Sequence, residues 1–263
     1  CRHRGITVVE GSGSAPALQC PYHLWTWSLD GRLVGAPHMD GADGFDPAAE
    51  CLTPLAVEAW NGFVLVNLDP DATSLATQIT GLTERCAPHG VASWVRGPSV
   101  HYDSAFNWKI QVENFIESYH HAGVHPETLH ATFPGHRSFV DGNGGEPWSW
   151  LDHVSVADGI DPFAVPIAYP TLSFVIVRGL GGYWFDMRPI DATHTSLDIV
   201  VLVPPDSPPE IADLLLESAV HVNDEDVLIN ERTQRGLRSR FAVAGRVSPL
   251  EQACWEFRRW VAD

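Results

Sequence analysis

The chain has 263 residues, 44% of them apolar, and is long enough to bury a real core without staples. Its formal net charge of -17 repels phosphate backbones and argues against a nucleic-acid partner. The five cysteines are odd in number and scattered, which fits a reducing, cytoplasmic setting better than a secreted disulfide framework, and no apolar run approaches the roughly 18 to 20 residues that span a bilayer.

Residues 1 to 68 read as a small all-β region. Ile6–Glu10, Trp25–Leu29 and Gly62–Leu68 alternate as strands do, and Leu29-Asp30-Gly31 and Met39-Asp40-Gly41 read as hairpin turns between them. The polar segment from Asp69, with Pro70, is a natural joint, so a second domain is expected over 69–263. There a short helix is expected over Ile79–Cys86 and a stronger one from Asn107. Two β-rich runs, Thr171–Ile190 and Thr193–Pro205, predict an antiparallel sheet divided at Gly179-Leu180-Gly181-Gly182 and Asp191-Ala192. A long helix follows from about Glu210 to Leu237. The last helix opens with Ser248 as cap and Pro249 at its first position.

Two groups of residues carry chemistry. The first is Cys1-Arg2-His3 and, after sixteen intervening residues, Cys20-Pro21-Tyr22-His23. A structural zinc finger draws its cysteine pair from one loop and its histidine pair from a helix. Here each loop supplies one thiolate and one imidazole, the mixed set a Rieske-type [2Fe-2S] cluster needs. The second group is Glu117, His120 and His125 in "ENFIESYHHAGVHP". On a regular helix Glu117 and His120 share a face, but His120 and His125 lie about 140° apart. They reach one ion only if the helix breaks, and Gly123 and Pro126 mark the expected place. Two imidazoles leave a non-haem Fe(II) one carboxylate short of a facial triad, and the candidates for it lie downstream in "HVNDEDVLINERTQRGL".

These segments, with "WNGFVLVNLDP", "NWK" and the closing helix, resemble the α-subunits of Rieske non-haem iron oxygenases along almost the whole chain. The resemblance implies an α+β chain: an all-β Rieske [2Fe-2S] domain over 1–68, then a helix-grip (START-like) catalytic domain over 69–263 whose curved antiparallel sheet grips a helix. It implies Cys1 and Cys20 on one iron of the cluster, and His3 and His23 on the other. His120, His125 and Asp226, with Asp224 as the second choice, would hold a mononuclear Fe(II). Glu117 would bridge that site to the Rieske histidine of a neighbouring subunit. Leu24 departs from the family pattern, which has glycine after the second ligand histidine.

The resemblance further implies a homotrimer that reduces O₂ with electrons from a separate NAD(P)H-dependent reductase, with or without a ferredoxin. The chain has no G-x-G-x-x-G opening a βαβ unit, which agrees with an external reductase. The substrate is expected to be a small organic molecule, aromatic or quaternary-ammonium-like, that is hydroxylated or oxidatively demethylated. Family members also carry strands ahead of the first ligand loop, so the chain is expected to be a piece of a longer one that loads its cluster weakly alone.

Two competing readings are a non-catalytic metal- or ligand-binding helix-grip protein with a zinc or decayed iron site, and a hydrolase at a His₂-carboxylate zinc. The remaining histidines, including His121, His130, His136, His101, His153 and His221, are expected to pack or hydrogen-bond. Cys51, Cys86 and Cys254 are expected to pack as small hydrophobes. Trp148, Trp150 and Trp184 are expected in the core rather than in an aromatic cage for an ammonium ion.

Overall fold

The computed structural model of the chain describes residues 1–141 and 145–263. Two compact units make it up: Cys1–Glu58 with Val64–Ala72, and Ala59–Phe63 with Thr73–Asp263.

The first unit is built on β1 (Leu18–Gln19), β2 (Thr26–Trp27) and β3 (Leu33–Gly35), a three-stranded sheet in that order. The expected turn joins β2 to β3, with Gly31 at φ 86° and its amide donating to the Ser28 carbonyl. Trp25, Trp27, Leu33 and Cys20 are buried as its core. Ile6–Glu10 forms no strand, contrary to its alternation. A strand needs a neighbour for its amides, and alternation alone does not supply one. Likewise Met39-Asp40-Gly41 is a turn in an irregular segment rather than a hairpin connection. A two-stranded ribbon follows, β4 (Ala56–Trp60) with β5 (Phe63–Asn67). Asn61 and Gly62 between them both have positive φ, 48° and 85°, the backbone of the tight turn that Asn-Gly favours.

The second unit opens with α1 (Leu75–Gln78) and α2 (Thr80–Cys86). Its frame is a seven-stranded sheet of β6 (Val95–Ser104), β7 (Ser138–Asp141), β8 (Trp148–His153), β9 (Phe163–Ala168), β10 (Leu172–Val177), β11 (Gly181–Asp191) and β12 (His194–Val203). The spatial order is β6-β12-β11-β10-β9-β8-β7, antiparallel at every pairing. The glycines that open β11 do more than divide strands. A Cβ on Gly182 would stand 1.7 Å from the Val175 carbonyl oxygen, so only glycine lets β10 and β11 approach there.

α3 (Trp108–Phe115), α4 (His121–Val124), α5 (Pro209–Leu237) and α6 (Gln252–Ala262) complete the unit. Val112 of α3, Ala219 of α5 and Phe257 of α6 pack with Phe185, Met187, Leu197 and Ile199 of the sheet into one buried cluster. Ser248 caps a short 3₁₀ turn, Pro249–Glu251, that leads into α6, and Glu251 returns a bond to the Ser248 amide. Trp148 and Trp150 are buried and Trp184 packs on Phe63. All five cysteines are free. Burial pushes the Cys86 thiol up to about 12, the behaviour of an inert packing residue.

Candidate metal centre

The inner face of α5 explains how the site is assembled. Its buried residues are Ala212, Leu215 and Ala219 and then Asn223, Asp226, Asn230 and Gln234, recurring every three or four residues along one stripe. The stripe begins apolar, against the sheet, and ends polar, against α3. There Gln234 accepts from the Asn107 backbone amide at 2.8 Å, Asn230 donates to Gln111 at 3.3 Å, and Asn114 donates to the Asp226 carboxylate at 3.0 Å. This antiparallel ladder of amides holds a buried carboxylate at one end. Sequence reasoning did not single out the ladder, although Asn and Gln at helical spacing on α5 were its visible sign.

α3 stops at Phe115. Glu117 then turns back and accepts from the backbone amides of Tyr119 and His120, the latter at 3.2 Å. His120 caps the start of α4 and His125 its end. The break expected at Gly123 therefore lies earlier, between Phe115 and His120, while Gly123 stays helical and the second break falls at His125, before Pro126. Glu117 and His120 do not share a helix face; they share a turn, closed by the Glu117 carboxylate. This offset of two short helices brings the rings of His120 and His125 to 5.0 Å between centroids.

Asp226 completes the group. Its Oδ1 lies 3.0 Å from His125 Nε2 and 3.6 Å from His120 Nε2, and among the described residues these three side chains form the one cluster whose ligand atoms all fall within 4.8 Å. Behind it, Glu117 stands 2.5 Å from His120 Nδ1, and Glu225 stands 2.6 Å from His125 Nδ1 while also accepting from Thr128 at 2.7 Å. Carboxylates only accept, so each Nδ1 carries a hydrogen, and His125 Nε2, 3.0 Å from the Asp226 oxygen, donates one to it as well; a cation bound there would replace that hydrogen and take the Nε2 lone pair. Burial works against a charged His125, yet Asp226 and Glu225 outweigh it and raise the ring's pKa above the ordinary histidine value. A proton is held where a metal cation fits. Two imidazoles and one carboxylate are the donor set of a non-haem Fe(II) site.

Asp224, the second candidate for the carboxylate, is outside the cluster. Two positions along a helix turn it by about 200° from Asp226, and it accepts instead from the Tyr102 hydroxyl at 3.0 Å. Glu225, the residue between the two candidates, holds His125.

The three side chains open on a cavity of about 520 Å³. Its wall is mostly apolar, with Phe115, Phe163, Tyr183 and Phe185 among its residues; none of the tryptophans lines it. His121 and His153 do. Burial lowers the pKa of His121 to about 4 and that of His153 well below the ordinary value, so neither ring is charged near neutral pH. His130, His136, His101 and His221 lie elsewhere, and His101 sits between Asp198 and Asp103 on the exposed face of β6 and β12.

In the first unit the two expected ligand loops share one backbone design. The Gly5 amide donates to the Cys1 carbonyl at 2.8 Å and the Leu24 amide to the Cys20 carbonyl at 3.1 Å. Gly5 and Leu24 both have positive φ, 73° and 60°. Leu24 thus takes the left-handed conformation that glycine favours, with its side chain in solvent. The loops bring His3 and His23 to 4.6 Å between ring centroids, and His3 stacks on Trp25 at 4.7 Å. His23 Nδ1 is buried with no hydrogen-bond partner, and Cys20 is buried in the core of the same small unit. A buried lone pair without a donor, together with two thiols, suits iron ligation.

Comparison with known proteins agrees with this geometry. A family model described as ring hydroxylating alpha subunit (catalytic domain) matches residues 91–263, and one described as Rieske [2Fe-2S] domain matches residues 1–53. The carnitine monooxygenase oxygenase subunit of Acinetobacter baumannii is 37% identical over 129 residues, 48% of this chain and 35% of that protein. The chloroplastic choline monooxygenase of Spinacia oleracea is 28% identical over 290 residues, 99% of this chain and 62% of that protein. A solved structure of a quaternary ammonium Rieske monooxygenase, described in connection with carnitine oxidation and inter-subunit electron transfer, superposes with a TM-score of 0.86 at 26% identity, over 100% of this chain and 76% of that one.

An antiparallel helix-on-sheet unit with a buried two-histidine, one-carboxylate pocket, joined to a small β unit with paired Cys/His loops, is the architecture of a Rieske-type α+β iron protein. The chain belongs to the ring hydroxylating alpha subunits, whose cofactors are a Rieske [2Fe-2S] cluster and a mononuclear iron. The match covers 35% of the Acinetobacter relative and 62% of the spinach one, less than two thirds of either. The Rieske match speaks against the zinc-binding and hydrolytic readings, which leave residues 1–53 without a purpose.

Proposed function

We propose that this chain is the oxygenase component of a Rieske monooxygenase that oxidises a quaternary ammonium compound, ending in hydroxylation or demethylation beside the nitrogen. The observation that carries the reading is the His120, His125 and Asp226 cluster, each histidine backed by a carboxylate, opening on an aromatic cavity. The naming of the relatives as carnitine, choline and quaternary ammonium monooxygenases supports the substrate class.

In this reading the first unit holds the cluster, with Cys1 and Cys20 on one iron and His3 and His23 on the other. The second unit is catalytic and holds the mononuclear iron through His120, His125 and Asp226. When bound, the cluster supplies electrons and the mononuclear iron supplies oxygen activation. The chain's own residues do the rest. Glu117 and Glu225 keep hydrogens on the Nδ1 atoms, so both Nε2 lone pairs face the metal position. Asn114 occupies one lone pair of Asp226 and fixes its rotamer. Phe115, Tyr183 and Phe185, packed edge to face at 4.5 and 5.8 Å, exclude water and offer ring faces to a methylated cation.

Glu117 bridges to a Rieske histidine of a neighbouring subunit in a homotrimer, and a separate NAD(P)H-dependent reductase, directly or through a ferredoxin, feeds the cluster. The protein works in the cytoplasm; among the described residues no helix is long and apolar enough to cross a membrane. Anaerobic purification with iron and labile-sulfide counting, followed by turnover of a quaternary ammonium panel with NADH and reductase, tests the proposal. Labile sulfide with an iron–sulfur visible spectrum, weak where this segment is expressed alone, and reductase-dependent product are expected. Colourless, zinc-loaded protein without sulfide overturns it.

A further inference from the structure

Two histidines in the cavity take no part in holding the metal. His121 opens α4, and His153 ends β8. His121 Nδ1 stands 2.9 Å from the Phe133 carbonyl oxygen, which only accepts, so that nitrogen carries the hydrogen. His153 Nδ1 stands 2.9 Å from Ser138 Oγ, its cross-strand neighbour. The two imidazoles stack, 5.1 Å between centroids and 19° between planes, and His153 also stacks on Phe163 at 4.3 Å and 17°. Each ring is therefore fixed by one edge and by its faces.

The other edge of each ring is free. Neither Nε2 has a protein partner among the described residues, neither is sealed from the cavity as a buried unpaired atom, and both rings line it. Among the described residues no carboxylate comes within hydrogen-bond reach of either ring, in contrast with His120 and His125. The cavity wall thus presents two unpaired hydrogen-bonding nitrogens beside the metal cluster, the His121 ring 5.2 Å from that of His120 and 5.9 Å from that of His125. A polar group left unmatched in such a wall weakens binding of any ligand that covers it without meeting it.

We infer that His121 and His153 form a subsite for a hydroxyl group on the substrate, so that the site prefers quaternary ammonium alcohols to their deoxy counterparts; this rests on the quaternary ammonium reading above. A hydroxyl both donates and accepts, so it meets the bare Nε2 of His121 and either tautomer of His153. A carboxylate cannot donate to His121, and a quaternary nitrogen neither donates nor accepts. Phe115, Tyr183 and Phe185 line the same cavity and receive the methylated cation while the hydroxyl is held at the histidine pair.

The test is calorimetric titration of the holoenzyme with L-carnitine and γ-butyrobetaine, which differ by one hydroxyl. Carnitine is expected to bind at least ~10-fold more tightly. His121→Phe and His153→Phe are each expected to bring that ratio toward unity with iron content and cluster spectrum retained, and His121→Gln, which keeps an acceptor, to preserve part of it. Equal affinities in the unmodified enzyme, or a preference unchanged in both Phe variants, overturn the subsite and leave the substrate class standing. Failure of both compounds to bind overturns the substrate class and the subsite together.

Discussion

The two proposed metal sites of this chain are built in opposite ways. The loops at Cys1–Gly5 and Cys20–Leu24 are closed locally, each by one hydrogen bond between residues four apart, with a left-handed residue at the fifth position. The His120, His125 and Asp226 cluster joins two short helices to a third element about a hundred residues away, and an amide ladder between α3 and α5 aligns them. A site closed by local turns depends on loop conformation. A site closed by tertiary packing depends on partners that have no contact with the metal.

The largest expected effect breaks the second site alone. His125→Ala removes one proposed ligand and leaves Glu225 only its bond from Thr128; mononuclear iron and all turnover are expected to be lost while the cluster's visible spectrum persists. Loss of the cluster spectrum in that variant would show that the two sites are not independent. Next is Glu117→Ala, expected to leave both metals bound at saturating iron yet nearly abolish turnover coupled to the reductant. Normal coupled turnover would end the bridging role.

Glu225→Gln keeps size but replaces the carboxylate behind His125, and iron affinity is expected to fall ~10- to 100-fold by competition titration. Asn230→Leu tests the ladder away from the metal. It leaves Gln111 unpaired in the core and is expected to lower stability by ~1–3 kcal/mol in denaturant titration, with iron binding weakened as Asp226 loses its alignment. The smallest effect belongs to the first site. Leu24→Gly relieves a left-handed residue but adds freedom to the unfolded chain, a net gain of roughly 0.5–1 kcal/mol. Thermal loss of the cluster absorbance reads it, and a drop in stability would contradict the equivalence of the two loops.

This contrast also explains what could be read in advance. The Cys/His loops were legible because all four residues fall within 23 positions, and the histidine pair of the second site was legible from its spacing. The first break, after Phe115, was not, because the Glu117 carboxylate capping the next turn decides it; the second, at His125, falls directly before the expected Pro126. β6 to β9 escaped notice. Their runs are short or include proline, and pairing makes them strands: β6 on β12, β9 on β10, then β8 on β9 and β7 on β8. Ile6–Glu10 shows the reverse, a good alternation with no neighbour.

What the sequence determined by itself is the chemistry of the donors and their grouping: thiol with imidazole on each early loop, two imidazoles and a carboxylate later, since residue types and short spacings are properties of the chain alone. Tertiary structure decided among neighbours. Asp226 rather than Asp224 faces the histidines, Glu225 backs His125, and His121 and His153 turn free edges into a cavity. Those choices depend on which side of a helix is buried and what packs against it, and contacts between residues a hundred positions apart settle that.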